Sequence, residues 1–157
     1  MRTRLERSVD IDVPADEVWQ HVTDWPRQDE WIPQTRVENV DDARSLGGRF
    51  RAWSGIGPVG FWDPMTITAW ERTADGGGRC EVLHRGAVVK GEGEFSVVAR
   101  GEHASTFVWA EVVVIPFGAL GAAGFRVVRP VVEWLLDKGL GTLRGQVERE
   151  SAARRGR

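Results

Sequence analysis

Residues 79–115 read RCEVLHRGAVVKGEGEFSVVARGEHASTFVWAEVVVI, and their period decides the architecture. Over 79–85, Cys80, Val82 and His84 share a face while Glu81 and Arg85 take the other. Over 89–98, Val89, Gly91, Gly93, Phe95 and Val97 oppose Lys90, Glu92, Glu94 and Ser96. Over 105–115, Phe107, Trp109, Glu111, Val113 and Ile115 fall together. Alternation of this kind marks strands with one buried face. Only Gly86-Ala87 and Arg100-Gly101-Glu102 separate the three, and connections that short join antiparallel neighbours.

The same text extends upstream. Segments near 35–42, 47–54 and 60–72 have strand composition, divided by Asp41-Asp42, Gly55-Ile56-Gly57-Pro58 and Asp75-Gly76-Gly77-Gly78;. Together they make a meander of six strands. Leu5 to Val13 alternates too, with Arg7 as the odd residue on an otherwise apolar face. Pro14 then suits the first position of a helix carrying Asp16 and Glu17 in its first turn and Val18, Trp19 and Val22 on its apolar stripe;. Trp25-Pro26 reads as its end, and a second short helical piece carries Trp31 up to Pro33;.

Beyond Phe117–Gly124 the period becomes helical, with Val128, Val132, Leu135, Leu136, Leu140, Leu143 and Val147 on one broad face through about Glu150;. The expected fold is therefore α+β: a seven-stranded antiparallel sheet curved around a long C-terminal helix, with two short helices between strands 1 and 2. A single ligand-binding domain is expected over 1–150, followed by a disordered basic tail over 151–157 containing Arg154, Arg155 and Arg157;.

Composition narrows the functional classes. The chain has 157 residues, 41% hydrophobic and 28% charged, which is ordinary for one folded domain;. A net charge of −2 leaves no basic excess to hold a phosphate backbone, so nucleic acid is not an expected partner;. The longest uncharged run, Val112 to Phe125, is 14 residues, short of the ~20 that span a bilayer, so no stable membrane insertion is expected;. The lone Cys80 and the charged opening MRTRLERSVD point to a cytoplasmic location;. His21, His84 and His103 show no metal-ligand spacing, and no cofactor is expected;. Gly55-Ile56-Gly57-Pro58-Val59-Gly60 matches G-x-G-x-x-G, but Pro58 removes an amide and a strand follows, so the match is accidental;.

A helix roughly 10 Å wide cannot fill a curved sheet, and the space left over is where function would sit. Alternation turns Phe61, Asp63, Met65 and Ile67 inward, and so places three polar groups inside: Asp63, His84 and Glu111. These three are the candidate acid/base groups. The candidate lining comprises Trp19, Trp25, Trp31, Trp53, Met65, Ile67, Val82, Gly91, Gly93, Phe95, Phe107, Trp109, Val113 and Leu135. Gly91 and Gly93, on the strand between His84 and Glu111, offer either room for a ligand or tight bending of the sheet. Gly139, Gly141 and Gly145 suggest close packing of the long helix or space over a cavity;. The run Phe117 to Phe125 reads as a hinge or as a gate for an apolar ligand.

The opening VDIDVPADEVWQHVTDWPRQDEWIP resembles that of the polyketide cyclase/dehydrase family, within the SRPBCC superfamily of START-like, helix-grip proteins. DPMTITAWE, RCEVLHRGAVVKGEGEF, TFVWAEVVVIPFGALG and RVVRPVVEWLL are similar to actinobacterial members of that group. The resemblance covers essentially the whole chain. It implies a deep hydrophobic pocket between sheet and long helix, where relatives bind lipids, sterols, aromatic polyketides or plant hormones and a minority catalyse cyclisation or dehydration. Cyclases of this kind often place Tyr or Arg in the pocket; the absence of Tyr here counts against catalysis.

Three readings follow. The first is a carrier or sensor of a small hydrophobic, lipid-like, aromatic or polyketide-like ligand. The second is a cyclase, aromatase or dehydratase, with Glu111 as general acid and His84 or Asp63 as base. The third is a partner-binding regulatory module, such as a heat-shock-protein activator, which would expose an apolar patch. A homodimer is left open.

Overall fold

A computed structural model describes residues Met1–Arg157. The alternating segment at the start forms β1 (Arg2–Ile11), with Leu5 and Ile11 buried on its inner face. Next comes α1 (Ala15–Val22), with Pro14 one residue ahead of the first helical position and Asp16 and Glu17 in the first turn. Trp25-Pro26 does not merely end this helix, as the sequence suggested. Pro26 sits in the first turn of a 3₁₀ helix over Trp25–Glu30, where a missing N–H forfeits no bond, and Trp31 caps it;.

Six strands follow: β2 (Thr35–Asn39), β3 (Arg49–Ile56), β4 (Val59–Arg72), β5 (Gly78–Arg85), β6 (Lys90–Ala99) and β7 (Ser105–Val114). They build one antiparallel sheet in the order β1-β7-β6-β5-β4-β3-β2. β1 and β2, consecutive in sequence, thus lie at opposite edges, and the two short helices carry the chain from one edge to the other. The G-x-G-x-x-G match is the β3–β4 hairpin, with Gly57 at φ +58° in its turn. A bulge lies at Thr68, between the pairs Ile67↔Val82 and Ala69↔Glu81. The extra residue turns Trp70 inward, edge-on to Trp19 at 5.1 Å;.

The last element, α2, spans Gly118–Arg155. Two expectations change here. The run expected as hinge or gate forms the first turns of this helix, and the basic tail expected to be disordered over 151–157 is helical to Arg155. Local packing explains the latter: Ser151 is buried and Arg154 pairs with Glu17 of α1 at 2.5 Å.

The two halves of α2 differ. Leu136, Leu140, Leu143 and Val147 of the rear half enter the core, and Gly139 approaches the Trp31 carbonyl so closely that a Cβ would lie 3.1 Å away. Gly141 and Gly145 make no such approach to another element. Ion pairs add to this hold: Arg27 of the 3₁₀ helix meets Glu150 at 2.6 Å. Arg7, the odd residue on β1, reaches α2 at Glu133 (2.9 Å) and Asp137 (3.2 Å). The front half contains Pro130 and leaves Leu120, Val127, Val131 and Trp134 exposed.

Candidate functional site

The sheet and α2 do not meet along their whole length. A cavity of about 330 Å³ lies between β3–β7, the 3₁₀ helix and the middle of α2. Its walls are mainly apolar, with Trp25, Phe50, Phe95 and Trp109 giving aromatic faces and Met65, Val82, Val113, Val132 and Leu136 aliphatic ones. Trp25 stacks on Phe50 at 4.3 Å with the rings 7° from parallel, and its Nε1 donates to the Ala43 carbonyl. Aromatic pairs of this type add roughly 0.5–1.5 kcal/mol beyond burial, so this wall is stiff.

Asp63 of β4, His84 of β5 and Glu111 of β7 converge at one end of the cavity. His84 Nδ1 donates to Asp63 Oδ2 at 2.6 Å, and His84 Nε2 to Glu111 Oε2 at 3.0 Å. Trp109 Nε1 donates to Glu111 Oε1 at 2.7 Å. Ionised carboxylates only accept, so an imidazole between two of them donates from both nitrogens and is the cation. Burial alone would push the His84 pKa down; the hydrogen bonds and charges of Asp63 and Glu111 win and raise it to about 10;. Side-chain exposure is 7% for His84, 8% for Asp63 and 19% for Glu111, so Glu111 is the member a ligand can touch most readily.

β6 makes this contact possible. Gly93 faces Val82 on one side and Glu111 on the other, and a Cβ there would lie 3.2 Å from both Glu111 carboxylate oxygens. Gly91 serves a different end. Its φ of +141° and the closeness of the Val112 carbonyl, 1.8 Å from a built Cβ, make it a backbone requirement of the β6–β7 pairing;. Room is thus the reading that fits Gly93, whereas Gly91 lies outside the lining and answers to the close strand pairing and its positive φ.

Among the other lining candidates, Trp25, Met65, Val82, Phe95, Trp109 and Val113 face the cavity. The rest do not, each for a local reason. Trp19 is buried under α1 against Trp70, with the Arg72 guanidinium 5.1 Å from its ring centre. Trp31 lies behind the wall, edge-on to Phe107 and Trp109. Ile67 and Phe107 are fully buried in the core and do not line the cavity. Trp53 is on the outer face of β3, beside Arg36. Leu135 is turned aside by the helical period, and its neighbour Leu136 takes the place.

The sequence reading missed Phe50, Ile32, Gln28, Thr35 and Ser54 as lining residues. Phe50 shares its inward face with Ala52, an alternation that could have exposed it; the others depend on where the short helix and β2 dock. Cys80 also lines the cavity. Burial pushes its thiol up to about 12, which keeps it protonated and unreactive;. No cluster of His, Cys, Asp and Glu suited to a metal ion is present, and no helix is long and apolar enough to cross a membrane.

Solved structures share this architecture. The Zhui aromatase/cyclase from Streptomyces sp. R1128 superposes with a TM-score of 0.73 at 17% identity, covering 95% of each chain. A START superfamily protein from Mycobacterium smegmatis gives 0.62 at 16%, over 96% of this chain and 97% of the other. Norcoclaurine synthase from Thalictrum flavum gives 0.64 at 14%, over 96% of both. These likenesses are of fold. Among curated proteins no sequence matches. The model of the family described as polyketide cyclase/dehydrase and lipid transport matches residues 2–148. With a helix-grip sheet, a long closing helix and a hollow between them, the chain belongs to that family.

Proposed function

We propose that the protein binds a compact hydrophobic molecule, aromatic or polyketide-like, in the cavity between sheet and α2. The observation that carries this reading is the hollow itself: an aromatic-walled space with one ionised cluster at its end. Ligand sites are built this way, apolar for affinity and polar at a few points for orientation. At about 330 Å³ it is near the small end of the usual ~300–1,000 Å³ range, which suits a few fused rings better than a long acyl chain;. Native mass spectrometry of the protein as purified, followed by titration of fused-ring aromatics against tryptophan emission, tests it. Bound small molecules or quenching by such compounds support the reading. A protein that retains nothing and whose emission and melting temperature respond to none of them would falsify it.

A second reading, cyclisation or dehydration of a poly-ketone, is favoured by the unbroken hydrogen-bonded line from Trp109 through Glu111 and His84 to Asp63. The neighbours that bear aromatase/cyclase names support it. The expected roles change, however. With His84 held as a cation, the base is Glu111 rather than the imidazole, and His84 orients that carboxylate and steadies its charge. Glu111 would take a proton from a carbon between two carbonyls. The enolate carbon would then bond to a second carbonyl carbon of the same chain, and the resulting alkoxide would recover the proton. Glu111→Gln should abolish turnover of such a substrate while sparing its binding; equal turnover in the variant removes this reading.

A further inference from the structure

The donor and acceptor inventory at the ionised end of the cavity is one-sided. At the ionised end there are three N–H donors: His84 Nδ1, His84 Nε2 and Trp109 Nε1. All three are spent within the cluster, on Asp63, Glu111 and Glu111 respectively. What remains is acceptor capacity. Each Glu111 oxygen has taken one hydrogen bond and can take another, and Asp63 Oδ1, on a residue 6% exposed, has no partner at all;. Two carboxylates against one imidazolium leave a formal charge of minus one. No Lys or Arg lines the cavity to balance it.

The walls point the same way. Trp25, Phe50, Phe95 and Trp109 present aromatic surface, which attracts cations and is indifferent or hostile to anions;. Placing a ligand carboxylate beside Glu111 would bury like charges together in a poorly solvated space. Away from that end the lining has the Gln28 amide, whose Nε2 donates to the Val22 carbonyl, and two hydroxyls: Thr35 Oγ1 bonds the Pro33 carbonyl, and Ser54 Oγ lies beside it at 3.5 Å.

Resting on the binding role proposed above, we infer that the cavity selects compact aromatic molecules that bring their own hydrogen-bond donor, a protonated amine first and a hydroxyl next, and that it rejects carboxylates. Glu111 receives the donor, because it is the accessible member of the cluster, and the ring system lies among the aromatic walls.

Four probes of one shape test the inference: naphthylmethylamine, naphthol, naphthalene and naphthoate, titrated calorimetrically into the full chain at neutral pH. The expected order of affinity is amine, naphthol, naphthalene, naphthoate, with amine over naphthoate by roughly a hundredfold, about two decades of the affinity scale. In Glu111→Gln the ratio should fall by about tenfold or more while naphthalene affinity stays within about twofold, which also reports that the cavity is intact. If all four bind equally, or naphthoate binds best, the donor inference is overturned while the binding role stands. An unchanged ratio in the variant overturns it as well. If none of the four binds, the binding role itself fails and the inference with it.

Discussion

His84 and Glu111 lie on strands that are not neighbours, yet their side chains meet at 3.0 Å across β6. They do so because Gly93 presents nothing to obstruct them. Gly93→Ala puts a methyl group 3.0 Å from Val82 Cγ2 and 3.2 Å from the Glu111 carboxylate. Overpacking of this kind costs about 1–3 kcal/mol, and the contact most able to give is the His84–Glu111 bond. The expected result is a lower melting temperature together with a shifted His84 ring resonance. Gly91→Ala should destabilise more, since it meets strand backbone and a strained φ rather than side chains;.

Stability should fall as pH rises from neutrality. The folded pKa of His84, raised to about 10, exceeds the roughly 6.5 of an unfolded imidazole;. Between those values the native state holds a proton that the unfolded chain has lost, so the slope of stability with pH is negative. The contribution is fully present below about 6.5, is lost through about 10, and is on the order of a few kcal/mol. Urea midpoints across this window should decline in the native protein. His84→Gln should show a flatter profile, and a steeper one would refute the assignment.

The two carboxylates should contribute separately to that cation. Asp63→Asn and Glu111→Gln each remove one negative charge while leaving an amide oxygen that still accepts, so each should lower the His84 pKa, read from the ring proton shifts by NMR;. The double variant should leave burial as the main remaining influence and bring the pKa below the ordinary value. A His84 pKa unmoved by either change would mean that the imidazole is not held between them in solution.

Adjacent leucines of α2 should behave differently. Leu136 is buried against the cavity, and Leu136→Ala should cost about 2 kcal/mol or more while widening the hollow;. Leu135 is only half-buried, and its replacement by Ala should cost about 1 kcal/mol or less;. Leu136→Phe should shrink the space and weaken ligand binding with modest loss of stability. The comparison is read by denaturation for the first pair and by probe titration for the last.

The sheet was legible because period-two alternation survives wherever one face is buried, and 79–115 states it three times over. Asp63, His84 and Glu111 were readable as inward groups for the same reason. Which wall residues reach the cavity was less readable. Trp19, Trp31 and Phe107 are inside, but depth along the sheet is fixed by where the short helices dock, and no local pattern encodes that. Trp53 follows parity rather than its aromatic character: it sits between inward Ala52 and half-buried Ser54, on the outer face. At Leu135 and Leu136 the error was one residue, about 100° of helix. The tail at 151–157 looked inert by composition, since a chain of Arg residues does not announce that Glu17 waits across from Arg154.

The uneven hold on α2 sets a gradient of local unfolding along a single rod. Pro130 interrupts the hydrogen-bond ladder between mostly exposed early turns, held to the core mainly by Phe125, and the well-anchored rear half, so residues before it can fray without dragging the ion-paired remainder;. Amide exchange should therefore be quick over 118–129 and slow over 136–150. Opening those early turns should take a small fraction of the energy needed to undo the whole molecule.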